Sequence, residues 1–195
     1  MHTAALILAG GKSSRFGRDK SLLTLHGERI VDRLVAQCRT VCDEVIILCG
    51  GAKKFHIEGV QELQDLVPGQ GPMGGIYTGM SSSSAELFLV LACDMPRFDA
   101  GLAQRMLQAC AGFDACVPRD GERLEPLCAV YRRTALPQIR EMLDRGEYQM
   151  RKLFPRIRTR YWAEPWPASG TDVFYNINYP SDYAFLTKEQ KTPGQ

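Results

Sequence analysis

Histidine is scarce in this 195-residue chain: His2, His26 and His56 stand far apart, and no Ser-His-Asp set can be assembled around any of them. Acyl-transfer chemistry of the triad kind is therefore not expected. Paired cysteine is missing too. The seven cysteines at 38, 42, 49, 93, 110, 116 and 128 are odd in number and contain no C-x-x-C, so they read as reduced thiols packed as small hydrophobes, with Cys38 and Cys42 on one helix face. No stretch approaches the roughly 18 apolar residues of a membrane span. The amino-terminal run has no basic segment, long apolar core and small-residue cleavage site, so the expected location is cytoplasmic. A formal net charge of +2 is too small to argue for nucleic acid or an anionic membrane as a partner, although a basic site for a small anion stays open. Neither an internal repeat nor a linker is present. One domain over residues 1–187 is expected, with a polar tail at 188–195 that frays. Hydrophobic residues at 45% and charged residues at 24% fit a soluble globular protein and leave enzymes and binding modules both open.

What the chain does have is an apolar run, Ala5-Leu6-Ile7-Leu8-Ala9, that breaks into Gly10-Gly11 and a polar loop containing Lys12, Arg15, Arg18 and Lys20. Glycine lets backbone N–H groups approach a ligand that a Cβ would block, and successive amides form a concavity for phosphate oxygens beside the cations. The loop is expected to hold a polyphosphate. It is not a P-loop: Gly11-Lys12-Ser13 supplies the second half of that motif, but Leu6 stands where its first glycine belongs. The dinucleotide fingerprint G-x-G-x-x-G also fails at this loop for want of a third glycine.

Helical spacing of Ile30, Val31, Leu34, Val35, Cys38 and Val41 predicts a helix ending near Cys42. Glu44–Cys49 then reads as a strand buried on both faces. Val60 falls in a weak strand, residues 65–75 form a Gly- and Pro-rich loop, and a helix is expected over 76–84. The run 87–93 is the strongest strand, followed by a helix over 102–109, a strand at 115–117 and a tight turn at Asp120-Gly121. A strand at 126–131, a helix over 136–144 and a short helix at 150–154 come next. Residues 174–180 are extended, and Ser181 is expected to cap a final short helix. Alternation of this kind predicts a three-layer α/β fold, Rossmann-like, around a predominantly parallel sheet.

Asp94-Met95-Pro96 ends the strongest strand with a carboxylate at the edge where open α/β sheets bind ligands. A hard oxygen donor there suits Mg²⁺ bridging nucleotide phosphates. Gly69, Gly71 and Gly74 also spell G-x-G-x-x-G, but residues 60–67 make no convincing buried strand before them and Pro72 removes an N–H. A nicotinamide-dependent oxidoreductase is thereby a secondary alternative.

Leu8-Ala9-Gly10-Gly11, Arg15, Gly17 and Lys20 together resemble the L-A-G-G-x-x-x-R-[MF]-G-x-x-K signature of the molybdenum cofactor guanylyltransferases, a branch of the sugar-nucleotidyltransferase-like superfamily. Asp65 with Gly71-Pro72-Met73-Gly74-Gly75 resembles that family's D-x-x-x-G-P-[LM]-x-G segment, and Asp94-Met95-Pro96 its D-M-P metal motif. Asn176-Ile177-Asn178-Tyr179-Pro180-Ser181-Asp182 is similar to its N-[IV]-N-T-P-E-[DE], with Tyr179 in place of Thr and Ser181 in place of Glu, and Glu125-Pro126-Leu127 to its acceptor-facing segment. The resemblance implies a catalytic set of Arg15, Lys20 and Asp94, with Asp94 holding Mg²⁺. It implies nucleotide contacts from Leu8, Ala9, Gly10, Gly11, Lys20, Asp65, Gly71, Pro72 and Asp94, where Asp65 can pair with guanine or with ribose hydroxyls. Glu125, Asn176 and Asn178 are the implied acceptor contacts. GMP would pass from Mg-GTP to the terminal phosphate of molybdopterin or Mo-molybdopterin, with molybdoenzyme maturation proteins as further partners. Cys49 and Gly50 stand where the family often has Asn. Gly10 and Asn176, against the L-A-A-G and Asp of the cytidylyltransferases, favour guanine. The alternatives are a cytidylyltransferase for the same acceptor, a sugar- or polyol-phosphate nucleotidyltransferase, and a non-catalytic nucleotide-binding assembly factor.

Overall fold

The computed structural model describes residues 1–10, 19–163 and 173–189. β1 (Thr3–Leu8) is apolar on both faces and lies inside the sheet. A 3₁₀ turn at Lys20–Leu22 leads to a small hairpin of β2 (Thr24–Leu25) and β3 (Glu28–Arg29), turned by His26 and Gly27 at φ 57° and 84°. α1 (Ile30–Arg39) buries Ile30, Val31, Leu34, Val35 and Cys38 on one stripe. β4 (Glu44–Leu48), β5 (Gln61–Leu63), α2 (Gly71–Ser82), β6 (Leu87–Ala92) and α3 (Ala100–Ala109) follow. β7 (Ala115–Asp120) turns at Gly121, φ 55°, into β8 (Arg123–Leu124). β9 (Cys128–Arg132), α4 (Leu136–Asp144), β10 (Thr159–Trp162) and α5 (Pro180–Glu189) complete the described chain.

The strands order as β10-β7-β9-β6-β1-β4-β5, with β8 paired to β7. β1 pairs in parallel with β4 and β6, β4 with β5, and β7 with β10, whereas β9 runs antiparallel between β6 and β7. Period-two alternation divides the core. Ala5, Ile7, Val45, Ile47, Leu89 and Leu91 face α1 and α3, while Leu6, Leu8, Ile46, Leu48, Phe88 and Val90 face α2 and α4. Since both faces are covered by helices, the central strands need apolar residues at nearly every position, and the sequence supplies them. The three layers and mostly parallel sheet are those expected. Among the described residues no helix is long and apolar enough to cross a membrane.

Several boundaries differ from the sequence expectation. α2 begins at Gly71, well before Ile76, because Gly71-Pro72 forms its first turn: proline's fixed φ suits that turn and its missing N–H has no helical partner to lose. The weak strand at Val60 is β5, shifted to Gln61–Leu63. In place of a helix at 150–154 stand successive 3₁₀ turns at Met150–Lys152 and Phe154–Arg156, and β10 was not expected at all. Asp182 takes the capping work assigned to Ser181, its Oδ2 accepting the N–H of Asn178 at 2.8 Å and of Tyr179 at 2.7 Å. α5 runs to Glu189, and the remainder of the polar tail lies outside the described residues.

Glu62 on β5 is 7% exposed, and its carboxylate accepts the backbone N–H groups of Lys54 at 2.9 Å, Phe55 at 3.1 Å and His56, together with the Cys49 thiol. Burial works to raise its pKa, but those amides overcome it and hold the group at about 2, against an ordinary 4.5. Its stabilising contribution is therefore complete above about pH 4.5 and is lost as pH falls toward 2. Glu62→Gln should lower stability by about 1–3 kcal/mol at pH 7, most of the deficit vanishing by about pH 2. Denaturant titrations at the two pH values check this, and an equal deficit at both would contradict it.

Candidate active site

Backbone hydrogen bonds gather the site at the carboxyl edge of the sheet. Cys93 N–H donates to Leu8 O at 3.1 Å, Ala92 N–H to Leu127 O at 2.8 Å, and Ile177 N–H to Asp94 O at 3.1 Å. The end of β1, the end of β6, the approach to β9 and the segment before α5 thus meet around one cleft. It has a cavity volume of about 380 Å³ and is lined by Leu8, Ala9, Gly10, Lys20, Pro72, Asp94, Glu125, Asn176 and Asn178, all singled out in the sequence. Asp19, Ser21, Cys93 and Met95 also line it.

Lys20 lies at the centre of the polar groups. Its Nζ donates to Asn178 Oδ1 at 3.3 Å and stands 4.0 Å from Asp94 Oδ2. The Lys20 and Asp94 side chains are only 17% and 20% exposed. Burial raises the Asp94 pKa, and Lys20 offsets this in part. A carboxylate held in this way retains an unmet demand for positive charge. Its hard oxygens suit a divalent cation. Among the described residues no three His, Cys, Asp or Glu side chains gather to hold a metal, which fits an ion taking its other ligands from phosphate and water.

Asp65 does not line the cleft. It lies beside it, its Oδ1 3.5 Å from where a Cβ on Gly75 would stand, and that Cβ position is 3.3 Å from Leu8. Burial raises its pKa as well. The loop after Asp65 is tied down onto α2, with Leu66 N–H donating to the Thr78 hydroxyl at 3.0 Å and that hydroxyl donating to Gly74 O at 2.8 Å. Gly71 opens α2 at φ 61° and is exposed beside Pro72. On the far wall Glu125 is ion-paired with Arg123, whose Nη2 also donates to Phe174 O at 3.4 Å. Asn176 Nδ2 donates to the same Phe174 O at 3.0 Å. Gly11 and Arg15 lie outside the described residues.

Sequence reasoning missed three contributors. Gly50 packs against Gly10 so closely that a Cβ on either would lie 2.7 Å from the other's Cα. A side chain at Gly50 would meet that backbone. Asp19 accepts from Ser21 N–H at 3.0 Å and Ser21 Oγ at 2.6 Å, a short turn that Asp-x-Ser could have announced. Lys54 pairs with Asp19 across the β4–β5 connection and carries no sequence signal. Cys93 is pushed up to about 12 by burial and then by Asp94, so it is a neutral thiol and no nucleophile. The cleft can grip and orient a charged ligand with amides, a lysine and a carboxylate.

A family model described as the MobA-like NTP transferase domain matches residues 5–160. A Pelotomaculum thermopropionicum protein named "probable molybdenum cofactor guanylyltransferase" is 34% identical, over 93% of this chain and 90% of its own. One of the same name from Chloroflexus aggregans is 34% identical over 93% and 92%. The crystal structure of molybdopterin-guanine dinucleotide biosynthesis protein A from Archaeoglobus fulgidus superposes with a TM-score of 0.82 at 21% identity, covering 96% of this chain and 98% of that one.

Because the fold disfavours the charged form of Asp94, the isosteric Asp94→Asn removes an unfavourable burial. Calorimetry of the ligand-free protein at pH 7 should show a melting temperature unchanged or raised by about 1–3 °C. A fall of several degrees would mean that the carboxylate is structurally satisfied, as Glu62 is.

Proposed function

This chain belongs to the MobA-like NTP transferase family, and from that premise we propose that it is a molybdenum cofactor guanylyltransferase acting in the cytoplasm. It transfers GMP from Mg-GTP to the terminal phosphate of molybdopterin, metallated or not, and releases pyrophosphate. The observation that carries this reading is Lys20 lying between Asp94 and Asn178 in a cleft walled by Gly10 and Pro72. The relatives named for guanylyl transfer support the choice of substrates.

The acceptor phosphate is already an anion near neutral pH, so attack on the α-phosphorus needs no general base. One P–O bond forms, the bond to the β-phosphate oxygen breaks, and the leaving pyrophosphate keeps the electron pair. Catalysis then rests on orientation and charge, as in phosphoryl transfer generally. Lys20 neutralises phosphate charge, and Asn178 orients the lysine ammonium by accepting from it. Gly10 leaves the floor of the cleft open to backbone contact, and Leu8, Ala9 and Pro72 supply its apolar side. Asp65 is the acceptor for guanine or ribose donors. Glu125, Asn176 and Asn178 face the pterin. Asp94 would hold Mg²⁺, which when bound supplies charge neutralisation on the triphosphate. The family signature implies further phosphate contacts from Gly11 and Arg15.

Purified protein given Mg-GTP and molybdopterin should release pyrophosphate, with GTP strongly preferred over CTP. Lys20→Ala should reduce kcat by about 10²–10³-fold, the usual scale for losing one charge-stabilising group. Turnover with CTP and none with GTP would overturn the guanylyl assignment, and full activity of Lys20→Ala would overturn the role of the lysine.

A further inference from the structure

We propose that the connection between β4 and β5 braces Gly10 and Asp19, and that Lys54 is a positioning residue which acts through Asp19 to hold Lys20 in place. This rests on the guanylyltransferase reading of the cleft and adds to it a residue that does not line the cleft.

Three contacts carry the argument. At the near end of the loop, Gly10 lies against Gly50, and Ala9 N–H is tied to Leu48 O at 2.8 Å. At the far end, Lys54 Nζ pairs with Asp19 Oδ2. Gly50 and Lys54 both belong to the β4–β5 connection, so one short segment grips the chain where it enters the loop and where it leaves it. That segment is itself anchored, because the Glu62 carboxylate accepts the N–H groups of Lys54, Phe55 and His56.

An ion pair between long exposed side chains is ordinarily worth little, since both must be ordered to form it. Here much of the ordering is already done. Glu62 fixes the Lys54 backbone, and the Lys54 ammonium lies over the Phe55 ring, 5.2 Å from its centroid. Ser21 fixes Asp19 with two hydrogen bonds to Oδ1, which leaves Oδ2 for Lys54. Lys20 is the residue between Asp19 and Ser21. Its backbone is therefore clamped on both sides, while its ammonium reaches Asn178 and Asp94. A displacement of about 1 Å at such a cation can cost 10²-fold in rate.

Lys54→Met, Lys54→Arg and Lys20→Ala, together with the Lys54→Met/Lys20→Ala double variant, test the brace. Each is measured for pyrophosphate release and, by calorimetry, for the Mg-GTP dissociation constant. Lys54→Met should lower kcat by about 10- to 100-fold, Lys54→Arg should recover most of it, and the melting temperature should move by less than about 2 °C. In the Lys20→Ala background, Lys54→Met should change either readout by less than about twofold, because its partner in the effect is already gone. Additive losses in the double variant would overturn the proposal and make Lys54 a direct phosphate ligand. Unchanged kcat in Lys54→Met, or no recovery by Lys54→Arg, would also overturn it. If the wild type binds Mg-GTP without turning it over, the assigned reaction fails, and the brace is judged on dissociation constants alone, by the same coupling or additivity.

Discussion

β1 and β6 pair in parallel with Leu8 opposite Ala92, and the next hydrogen bond, Cys93 N–H to Leu8 O, carries the pairing past both strand ends. Parallel neighbours deliver their exits to one edge of a sheet. Gly10 and the carboxylate of Asp94 are far apart in sequence, yet the pairing makes them walls of one cleft. An antiparallel pairing of these strands would have put them at opposite ends. The antiparallel β9 contributes at the same edge by the same logic, because its approach, Glu125 to Leu127, lies where the parallel strands leave. Ile177 closes the arrangement by donating to Asp94 O.

Four carboxylates show two electrostatic kinds. Glu62 is saturated by amides, and Asp114 by Arg158 together with the Thr134 hydroxyl. Both are held near 2 and serve the fold. Asp94 and Asp65 are pushed upward by burial without comparable compensation, and both lie at the carboxyl edge. Groups that cost the folded state something, gathered in one place, mark where a ligand completes the structure. Burial pushes the thiols up as well, Cys42, Cys49 and Cys93 all to about 12, and there it keeps them neutral, so sulfur adds packing and no charge.

Much of this was legible in the sequence. Runs such as Leu87–Ala92 and the helical spacing from Ile30 announce their elements because burial on two faces, or on one stripe, leaves a period in the residues. Asp94 and Lys20 were legible because strand-end chemistry and the glycine loop carry local signals. The start of α2 was obscured by glycines that read as loop but form its first turn with Pro72. β10 was hidden because Thr159-Arg160-Tyr161-Trp162 lies at the sheet edge, where only one side is paired and apolar alternation is weak. The approach of Gly50 to Gly10 and the pairing of Lys54 with Asp19 gave no sign, since they are contacts between segments distant in sequence, and such contacts have no period to read.

The account depends on one triphosphate being gripped from both sides of this cleft, by the glycine loop with Lys20 on one side and by a divalent ion on Asp94 on the other. A crystal structure of the protein with Mg²⁺ and a non-hydrolysable GTP analogue tests that most directly. The account predicts phosphate oxygens against Gly10 and the Lys20 ammonium, with the metal bound to Asp94 and bridging to the same phosphates. A triphosphate bound away from Lys20, or a metal that leaves Asp94 uncoordinated, would contradict it.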